Sequence, residues 1–253
     1  MTADAVVTEN LTIAFGGLTA VDGVDLQIPA GQRRAIIGPN GAGKTTLFNL
    51  IAGQLRPTAG RVLVGGEDIT GQSVHARSRA GIARTFQLSN LFGQLTVADN
   101  VRLAIAGGDP SVRRTFWRPL AGFAHVERRV ADLLARWELD DVADERPSEL
   151  SYGQQRILEL VLATSGDPRV LLLDEPTAGV SKSEAERLAD TIAALPRDLT
   201  IVLVEHDMDI AFRLADEVTV MVNGQELVTG SPDVVASDER VIDAYLGSDH
   251  DVA

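Results

Sequence analysis

Hydrophobic and polar residues alternate along residues 6–28, a pattern typical of strands that bury one face. Glycine and proline at residues 16–17 and 29–31 divide this stretch, so it predicts antiparallel strands joined by turns. Two later segments, residues 170–174 and 200–205, are almost continuously apolar instead. Such runs are typical of parallel strands that are buried on both faces of a sheet.

Between these two kinds of strand, residues 97–139 have the spacing of helices. One predicted helix has an apolar face formed by Val126, Val130, Leu133, Leu134 and Trp137. Capping boxes at residues 151–154 and 181–184 predict two more helix starts, and residues 74–81 predict a short, polar surface helix. Residues 109–124 are rich in arginine and aromatic side chains, and two interpretations stay open: a surface connection or a partner contact. The pattern as a whole predicts an α/β fold with antiparallel sheet at its start and a helical insertion.

One glycine-rich segment, residues 38–45, matches G-x-x-x-x-G-K-[ST], the phosphate loop of nucleotide-binding proteins. A predicted strand at 33–37 precedes it and a predicted helix at 46–51 follows it. Glycines let backbone N–H groups turn toward a phosphate, and the helix N-terminus adds positive charge. We expect Lys44 to pair with the terminal phosphates and Thr45 to bind Mg²⁺, which a coincidental glycine-rich turn would not do. The predicted nucleotide-binding residues of this segment are Gly38, Pro39, Asn40, Gly41, Ala42, Gly43, Lys44, Thr45 and Thr46.

Composition narrows the function further. Lysine and arginine number 23 against 36 aspartate and glutamate, a formal net charge of −13. This balance disfavours a general nucleic-acid surface, which needs a basic stripe, but it does not disfavour ATP. The absence of cysteine excludes disulfides and thiolate metal sites. No apolar run approaches the roughly 18–20 residues of a membrane-spanning helix, and the N-terminus lacks signal-peptide character.

Acidic residues follow the first buried apolar strand. Ligands of open α/β sheets bind beyond the carboxyl ends of the strands, so Asp174 is expected to hold Mg²⁺ opposite Thr45. The adjacent Glu175 is expected to orient and polarise an attacking water, the alternative being a solvated turn. Gln87 could contact Mg²⁺ or water and report their state to the helical insertion. His206 could donate to a γ-phosphate, although a lone histidine is more often structural.

A second anion site is predicted at residues 150–156. There the Ser151 hydroxyl, the Gly153 N–H and the positive end of a helix meet at one exposed point. Because residues 38–45 already form the phosphate site of the core, a second phosphate-binding segment suggests that two chains share nucleotides across an interface.

Five stretches, in this order and spacing, resemble the Walker A, Q-loop, signature, Walker B and switch-histidine motifs of ABC transporter ATP-binding subunits: residues 38–45, Gln87, 150–156, 170–175 and His206. The resemblance spans nearly the whole chain. It implies one ABC ATPase domain with a P-loop NTPase core. In that domain residues 1–87 and 166–253 form the core with its antiparallel sheet, and residues 88–165 form a helical subdomain that contains the signature motif.

The resemblance also implies roles for single residues. Phe15 would stack on adenine, with an ordinary strand residue as the alternative. Catalysis would involve Lys44, Gln87, Glu175 and His206, the last two as general base and γ-phosphate switch. The metal ligands would be Thr45, Gln87 and Asp174. The γ-phosphate of the opposite subunit's ATP would be contacted by Ser151, Gly153 and Gln154.

A closer resemblance is to the ATPases of branched-chain (hydrophobic) amino acid uptake, carried by residues 15–21, 81–87, 205–208 and 241–247. Urea and amide importers and lipopolysaccharide exporters share part of this pattern. A soluble ABC-type ATPase acting on nucleic acid is a further alternative, although such proteins usually have a coiled-coil insertion or two cassettes. A GTP-binding switch would need an Asn-Lys-x-Asp motif, which the sequence lacks.

The importer hypothesis implies a set of partners. They are a second ATPase subunit, identical or paralogous, polytopic permease subunits and, indirectly, a substrate-binding protein, with no nucleic acid. The cofactors would be ATP and Mg²⁺. The protein would lie at the cytoplasmic face of the membrane, held there by the permease.

Overall fold

The computed structural model describes residues 4–85, 91–109, 111–112 and 122–248. The strands, in chain order, are β1 (Asp4–Phe15), β2 (Leu18–Pro29), β3 (Arg33–Ile37), β4 (Ala59–Val64), β5 (Glu67–Asp68), β6 (Ile82–Arg84), β7 (Val170–Asp174), β8 (Thr200–Val204), β9 (Glu217–Val222) and β10 (Gln225–Gly230). The helices are α1 (Lys44–Ala52), α2 (Val74–Arg79), α3 (Val97–Gly108), α4 (Ala124–Arg136), α5 (Tyr152–Thr164), α6 (Lys182–Ala193), α7 (Met208–Leu214), α8 (Pro232–Ala236) and α9 (Glu239–Ser248). Within the described residues, no helix is long and apolar enough to cross a membrane.

The strands form two sheets. The first is antiparallel, in the order β2-β1-β4-β5, as the alternating N-terminal pattern predicts. The second has the order β10-β9-β3-β8-β7-β6, in which β9 to β6 are mutually parallel and β10 is an antiparallel edge. Every residue of β3, β7 and β8 is buried, which confirms the prediction of strands covered on both faces.

Three hydrophobic clusters hold these layers together. One lies between the antiparallel sheet, α1 and one face of the parallel sheet, and includes Phe48 and Ile36. A second covers the opposite face of that sheet with α6 and α7. The third packs α3, α4 and α5 around Val101, Val130 and Leu158. The predicted α/β arrangement with a helical part is therefore confirmed.

The predicted helix starts are also confirmed. Ser151 and Ser181 each accept a hydrogen bond from the backbone N–H of N3, and the N3 side chain accepts from the cap N–H in return. The predicted apolar face of the helix over 124–136 is buried at Val126, Val130, Leu133 and Leu134. Most of the 109–124 segment lies outside the described residues, so its two interpretations stay open.

The predicted surface helix over 74–81 is only partly a surface element. It forms α2, but Arg77 within it is just 1% exposed. The Arg77 guanidinium donates to the carbonyls of Leu50 and Ile51, both at 2.7 Å, and to the carbonyl of Thr70 at 2.9 Å. The last carbonyls of a helix have no hydrogen-bond donors within the helix, and packing removes those of α1 from water. Arg77 supplies donors to these carbonyls.

We expect Arg77→Ala to lower the free energy of unfolding by about 3 kcal/mol, because it removes the buried guanidinium that donates to the Leu50, Ile51 and Thr70 carbonyls. Urea unfolding of the nucleotide-free protein, followed by circular dichroism, measures this. The matched control is Arg79→Ala, an exposed arginine of the same helix, for which a change within about 0.5 kcal/mol is expected. Equal losses for the two variants would contradict the proposed role of Arg77.

Candidate functional site

The glycine-rich loop of residues 38–43 leads from the end of β3 into α1, as the sequence predicts. A Cβ on Gly38 would lie 2.1 Å from the Met221 carbonyl oxygen, and one on Gly43 would lie 2.4 Å from the Ala20 carbonyl oxygen. Both glycines have positive φ, at 148° and 96°. The loop is therefore enclosed by β2 on one side and β9 on the other, with backbone close enough that no side chain fits.

A turn outside the motif also supports this loop. The Gly224 N–H, in the turn between β9 and β10, donates to the Ala42 carbonyl at 3.0 Å. The Gly224 carbonyl in turn accepts from the Asp22 N–H in β2 at 2.9 Å. The sequence identifies Asn223-Gly224 as a hairpin turn, and only the tertiary structure places that turn against the loop.

The Lys44 side chain, at the first position of α1, is 5% exposed. Its ammonium donates to the carbonyls of Gly38 at 2.7 Å and Pro39 at 3.0 Å. An ammonium has three donors, so these two bonds leave one for an anion. Burial lowers the pKa of Lys44, and the nearby charge of Glu175 opposes that shift.

A cavity of about 420 Å³ opens over the loop. Its lining combines the loop with the ends of β7 and β8 and with the β9–β10 turn: Leu18, Thr19, Ala20, Asn40, Gly41, Ala42, Gly43, Lys44, Thr45, Thr46, Glu175, His206, Asn223 and Gly224. A larger cavity of about 1090 Å³ lies elsewhere, around Trp137, Arg169 and Leu195, and contains none of the predicted site residues. The smaller cavity is the candidate site because the phosphate-binding groups converge there.

Glu175 and His206 meet at the edge of this cavity. The Glu175 N–H donates to the Val204 carbonyl at 2.9 Å, which brings the ends of β7 and β8 together. His206 Nε2 lies 2.7 Å from Glu175 Oε1. Glu175 has φ 49°, a left-handed conformation that costs a non-glycine residue about 1–2 kcal/mol. The predicted base and the predicted γ-phosphate switch are thus in direct contact.

Asp174, at the end of β7, is 3% exposed. Its Oδ2 accepts from Arg84 at 2.6 Å, whereas Oδ1 has no hydrogen-bond partner among the described residues. A buried carboxylate oxygen without a partner is costly. Carboxylate and hydroxyl oxygens are hard ligands that suit Mg²⁺, so Asp174, together with Thr45 in the cavity lining, fits the ion that accompanies a nucleotide.

The sequence matches two known protein families. The family described as "ABC transporter" matches residues 21–178. The chain belongs to the ABC transporter family. A second family, described as "Branched-chain amino acid ATP-binding cassette transporter", matches residues 225–251. The chain is an ABC ATPase: the cassettes of this family bind and hydrolyse ATP to power transport.

Relatives agree over nearly their whole length. The high-affinity branched-chain amino acid transport ATP-binding protein BraF of Pseudomonas aeruginosa is 38% identical over 249 residues, 94% of this chain and 95% of BraF. The corresponding protein LivG of Escherichia coli is 36% identical over 250 residues, with the same coverage of 94% and 95%.

Solved structures agree as well. A nucleotide-free ATP-binding cassette from an ABC transporter superposes with a TM-score of 0.83 at 30% identity, covering 96% of this chain and 98% of that one. The ADP conformation of MJ1267, an ATP-binding cassette of an ABC transporter, superposes with a TM-score of 0.84 at 32% identity, covering 97% and 100%. The predicted fold, an ABC-type P-loop core, is therefore confirmed.

The segment that resembles the signature motif lies away from the candidate cavity of its own chain. Ser151 caps α5 and is exposed, and neither it, Gly153 nor Gln154 lines the cavity. The Tyr152 hydroxyl donates to the Ala178 carbonyl at 3.3 Å, which fastens the start of α5 to the loop after β7. This segment is thus held in place within the chain while Ser151, which is expected to contact an anion, stays exposed.

The predictions for Phe15 and Gln87 stay open. Phe15 is 49% exposed and lies opposite Leu18 in the β1–β2 pair, and Leu18 itself lines the cavity. The Phe15 side chain is thus exposed near the cavity lining, and its assignment to adenine stays a prediction. Gln87 lies outside the described residues, so its expected contacts with Mg²⁺ and water stay predictions too.

Sequence reasoning missed Glu205, which is 4% exposed. Its Oε1 accepts from the Thr177 N–H at 3.0 Å and from the Thr177 hydroxyl at 2.8 Å, and its Oε2 accepts from the His206 N–H at 3.2 Å. It therefore ties the loop that carries Glu175 to the segment that carries His206. The available signal was an acid directly after an apolar strand, the same signal that identified Asp174.

Burial raises the pKa of Glu205 above its ordinary value of 4.5, and its hydrogen bonds to Thr177 and His206 only partly oppose this. An acid with a raised native pKa binds more protons when folded, so its contribution to stability falls as the pH rises through that interval. We expect the wild type to lose stability relative to Glu205→Gln as the pH rises from about 4.5 to the native pKa of Glu205, and the difference to stay constant above that pKa. The total loss should be about 1.4 kcal/mol for each unit by which the native pKa exceeds the unfolded one.

Urea unfolding between about pH 4 and about pH 8 measures this difference. Glu186→Gln, at an exposed position of α6, controls for the loss of one negative charge. A difference between wild type and Glu205→Gln that is constant with pH, or that favours the wild type as pH rises, would contradict the effect of burial.

Proposed function

We propose that this ABC ATPase powers an importer for branched-chain or hydrophobic amino acids. Two observations support the substrate class: BraF and LivG are named for branched-chain amino acid transport, and the C-terminal residues 225–251 match the family described for the same transporters. The observation that carries the mechanism is the cavity in which the phosphate loop, Glu175 and His206 converge.

The residues of this cavity have distinct roles in the proposal. The loop amides and Lys44 bind the phosphates of ATP. Glu175 orients the attacking water and accepts its proton. His206 contacts Glu175 in this structure and exchanges that contact for the γ-phosphate when ATP binds. The state of the nucleotide is thereby coupled to the position of the base.

Mg²⁺ would be held by Thr45, Asp174 and Gln87. It supplies positive charge that neutralises the phosphate oxygens during hydrolysis. The unpartnered Oδ1 of Asp174 supports this assignment. Phe15 is assigned to adenine, since it is exposed beside Leu18 in the cavity lining.

The site is completed by a second subunit in this proposal. Ser151, Gly153 and Gln154 form an exposed helix start outside their own chain's cavity, where they can reach the γ-phosphate bound by a partner. A related ATP-binding cassette, MJ0796, is described as dimeric in a post-hydrolysis state bound to ADP and Pi, and it superposes here with a TM-score of 0.75 at 25% identity. Two subunits, identical or paralogous, would close head to tail around two ATP molecules.

The helical subdomain, residues 88–165, transmits this closure to the permease. Its own hydrophobic cluster around α3, α4 and α5 supports movement as a unit relative to the core of residues 1–87 and 166–253. The permease would hold the ATPase at the cytoplasmic face of the membrane, and a substrate-binding protein would act on the other side.

We expect Glu175→Gln to form a stable dimer in Mg·ATP with little turnover, because the nucleotide is bound but not hydrolysed. Adding Ser151→Arg to this variant should abolish the dimer while each monomer still binds ATP, because the signature segment acts only across the interface. Size-exclusion chromatography with light scattering measures the dimer, and binding of a fluorescent ATP measures the site.

The matched control replaces Ser73 instead of Ser151. Both serines are exposed and accept an N-cap hydrogen bond of 3.3 Å, in α2 and α5 respectively. Glu175→Gln with Ser73→Arg should therefore still dimerise. A Glu175→Gln protein that stays monomeric at saturating Mg·ATP would overturn the shared-site proposal.

The substrate class is tested by uptake. Deleting the encoding gene should abolish high-affinity uptake of labelled leucine, isoleucine and valine, and the wild-type chain but not Glu175→Gln should restore it. Uptake of labelled glutamate serves as the control because its side chain is charged. Normal leucine uptake together with lost urea uptake would instead favour the urea importer.

A further inference from the structure

Arg84 is a buried cation next to the candidate Mg²⁺ site and has no role in the function proposed so far. It ends β6, at the edge of the parallel sheet, and its side chain is 9% exposed. One guanidinium nitrogen donates to Asp174 Oδ2 at 2.6 Å. The second terminal nitrogen of the guanidinium donates to Asn49 Oδ1 at 2.7 Å and to Gln54 Oε1 at 2.9 Å.

These bonds connect three elements of the site. Asp174 ends β7, Asn49 lies in α1, the helix that begins with Lys44, and Arg84 itself ends β6. The guanidinium carbon also lies 5.9 Å from the ring centroid of Phe48, over its face in a cation–π geometry. A planar fork that donates in two directions can set the distance between α1 and β7, which a lysine ammonium could not do equally well.

The ion pair with Arg84 engages only one of the two carboxylate oxygens of Asp174. Oδ2 is taken by Arg84, whereas Oδ1 has no partner among the described residues. A buried ion pair is weak evidence of stabilisation, because removing two charges from water offsets most of their attraction. An arrangement that holds one oxygen and leaves the other without a partner is better explained by ligand binding, since outer-shell hydrogen bonds orient the ligands of metal ions.

We infer that Arg84 is a positioning residue for the divalent cation that accompanies ATP. By holding Asp174 Oδ2 it keeps the carboxylate in one orientation with Oδ1 left for the cation, and by holding Asn49 it keeps α1, which carries Thr45, at the matching distance. The inference rests on the proposed ATPase function. It adds that the affinity for Mg²⁺ is set by a residue that contacts neither the cation nor the nucleotide.

The test compares nucleotide binding with and without Mg²⁺ in the full chain. Arg84→Met keeps an unbranched side chain in the buried site but removes the guanidinium. Binding of a ribose-labelled fluorescent ATP is titrated in EDTA and then at increasing free Mg²⁺. We expect the half-saturating Mg²⁺ concentration of Arg84→Met to rise about 10- to 100-fold, the usual effect of losing an outer-shell partner, with affinity in EDTA within about twofold of wild type because the phosphate loop is intact.

Two variants control for general effects. Arg102→Met breaks an ion pair outside every predicted binding segment, Arg102–Glu127 at 2.6 Å, and should leave the half-saturating Mg²⁺ concentration within about twofold. Gln54→Ala removes one partner of Arg84 without touching Asp174, and should also have an effect within about twofold. If Arg84→Met does not fold, Arg84→Lys carries the test, with an expected rise of about tenfold or less.

The outcomes separate the inference from the proposed function. An unchanged half-saturating Mg²⁺ concentration, or tighter Mg²⁺ binding, in a folded Arg84 variant overturns the inference. Equal loss of affinity in EDTA and in Mg²⁺ also overturns it, because Arg84 would then support the fold rather than the cation. A wild-type chain that binds no ATP under either condition would instead contradict the proposed function.

Discussion

The candidate site depends first on the parallel pairing of three buried strands. Ile36 in β3 and Asp174 in β7 both pair with Val204 in β8, so the three residues lie level across the sheet. The phosphate loop, Glu175 and His206 therefore each begin within two residues of this level, at the same edge of the sheet. A slip of one residue between these strands would turn each side chain to the opposite face and move these three segments out of line.

Buried polar groups in this protein differ in how completely they are satisfied. Arg77 and Glu205 each have several hydrogen bonds, and both hold backbone segments together. Asp174 keeps an unpartnered oxygen, and Lys44 makes only two of its three bonds. Of these four residues, the two with unused bonding capacity lie where cation and phosphate are expected to bind, whereas the other two hold backbone segments in place.

The two predicted phosphate-binding segments of the chain do not meet. The phosphate loop lines the cavity, and the start of α5 lies outside it, fastened through Tyr152 to the loop that follows β7. That loop also carries Thr177, which Glu205 ties to the segment containing His206. A second subunit binding at the start of α5 would thus contact an element directly connected to the residues expected to perform hydrolysis. In this way the proposed dimerisation and the chemistry would be linked through short, bonded segments.

Much of the fold could be predicted from the sequence, because strand and helix periodicities and capping boxes are local. The apolar strands 170–174 and 200–205, the capping boxes and the G-x-x-x-x-G-K-[ST] loop all lie where the sequence places them. The contact between Glu175 and His206 could not be predicted in the same way, although both residues could be named. It requires the ends of two strands, 31 residues apart in the chain, to be adjacent.

What the sequence by itself determined was therefore the chemistry: the phosphate loop, the acids after a buried strand, the histidine and the signature segment. Only the tertiary structure decided which polar groups are buried and what they touch. Arg77 belongs to a polar helix by its sequence, yet it is buried because the carbonyls at the end of α1 need donors there. Arg84 and Glu205 likewise gained their roles from partners distant in the chain. Local periodicity reports which face of an element is apolar, whereas the partner of a buried charge is chosen by the packing of distant elements.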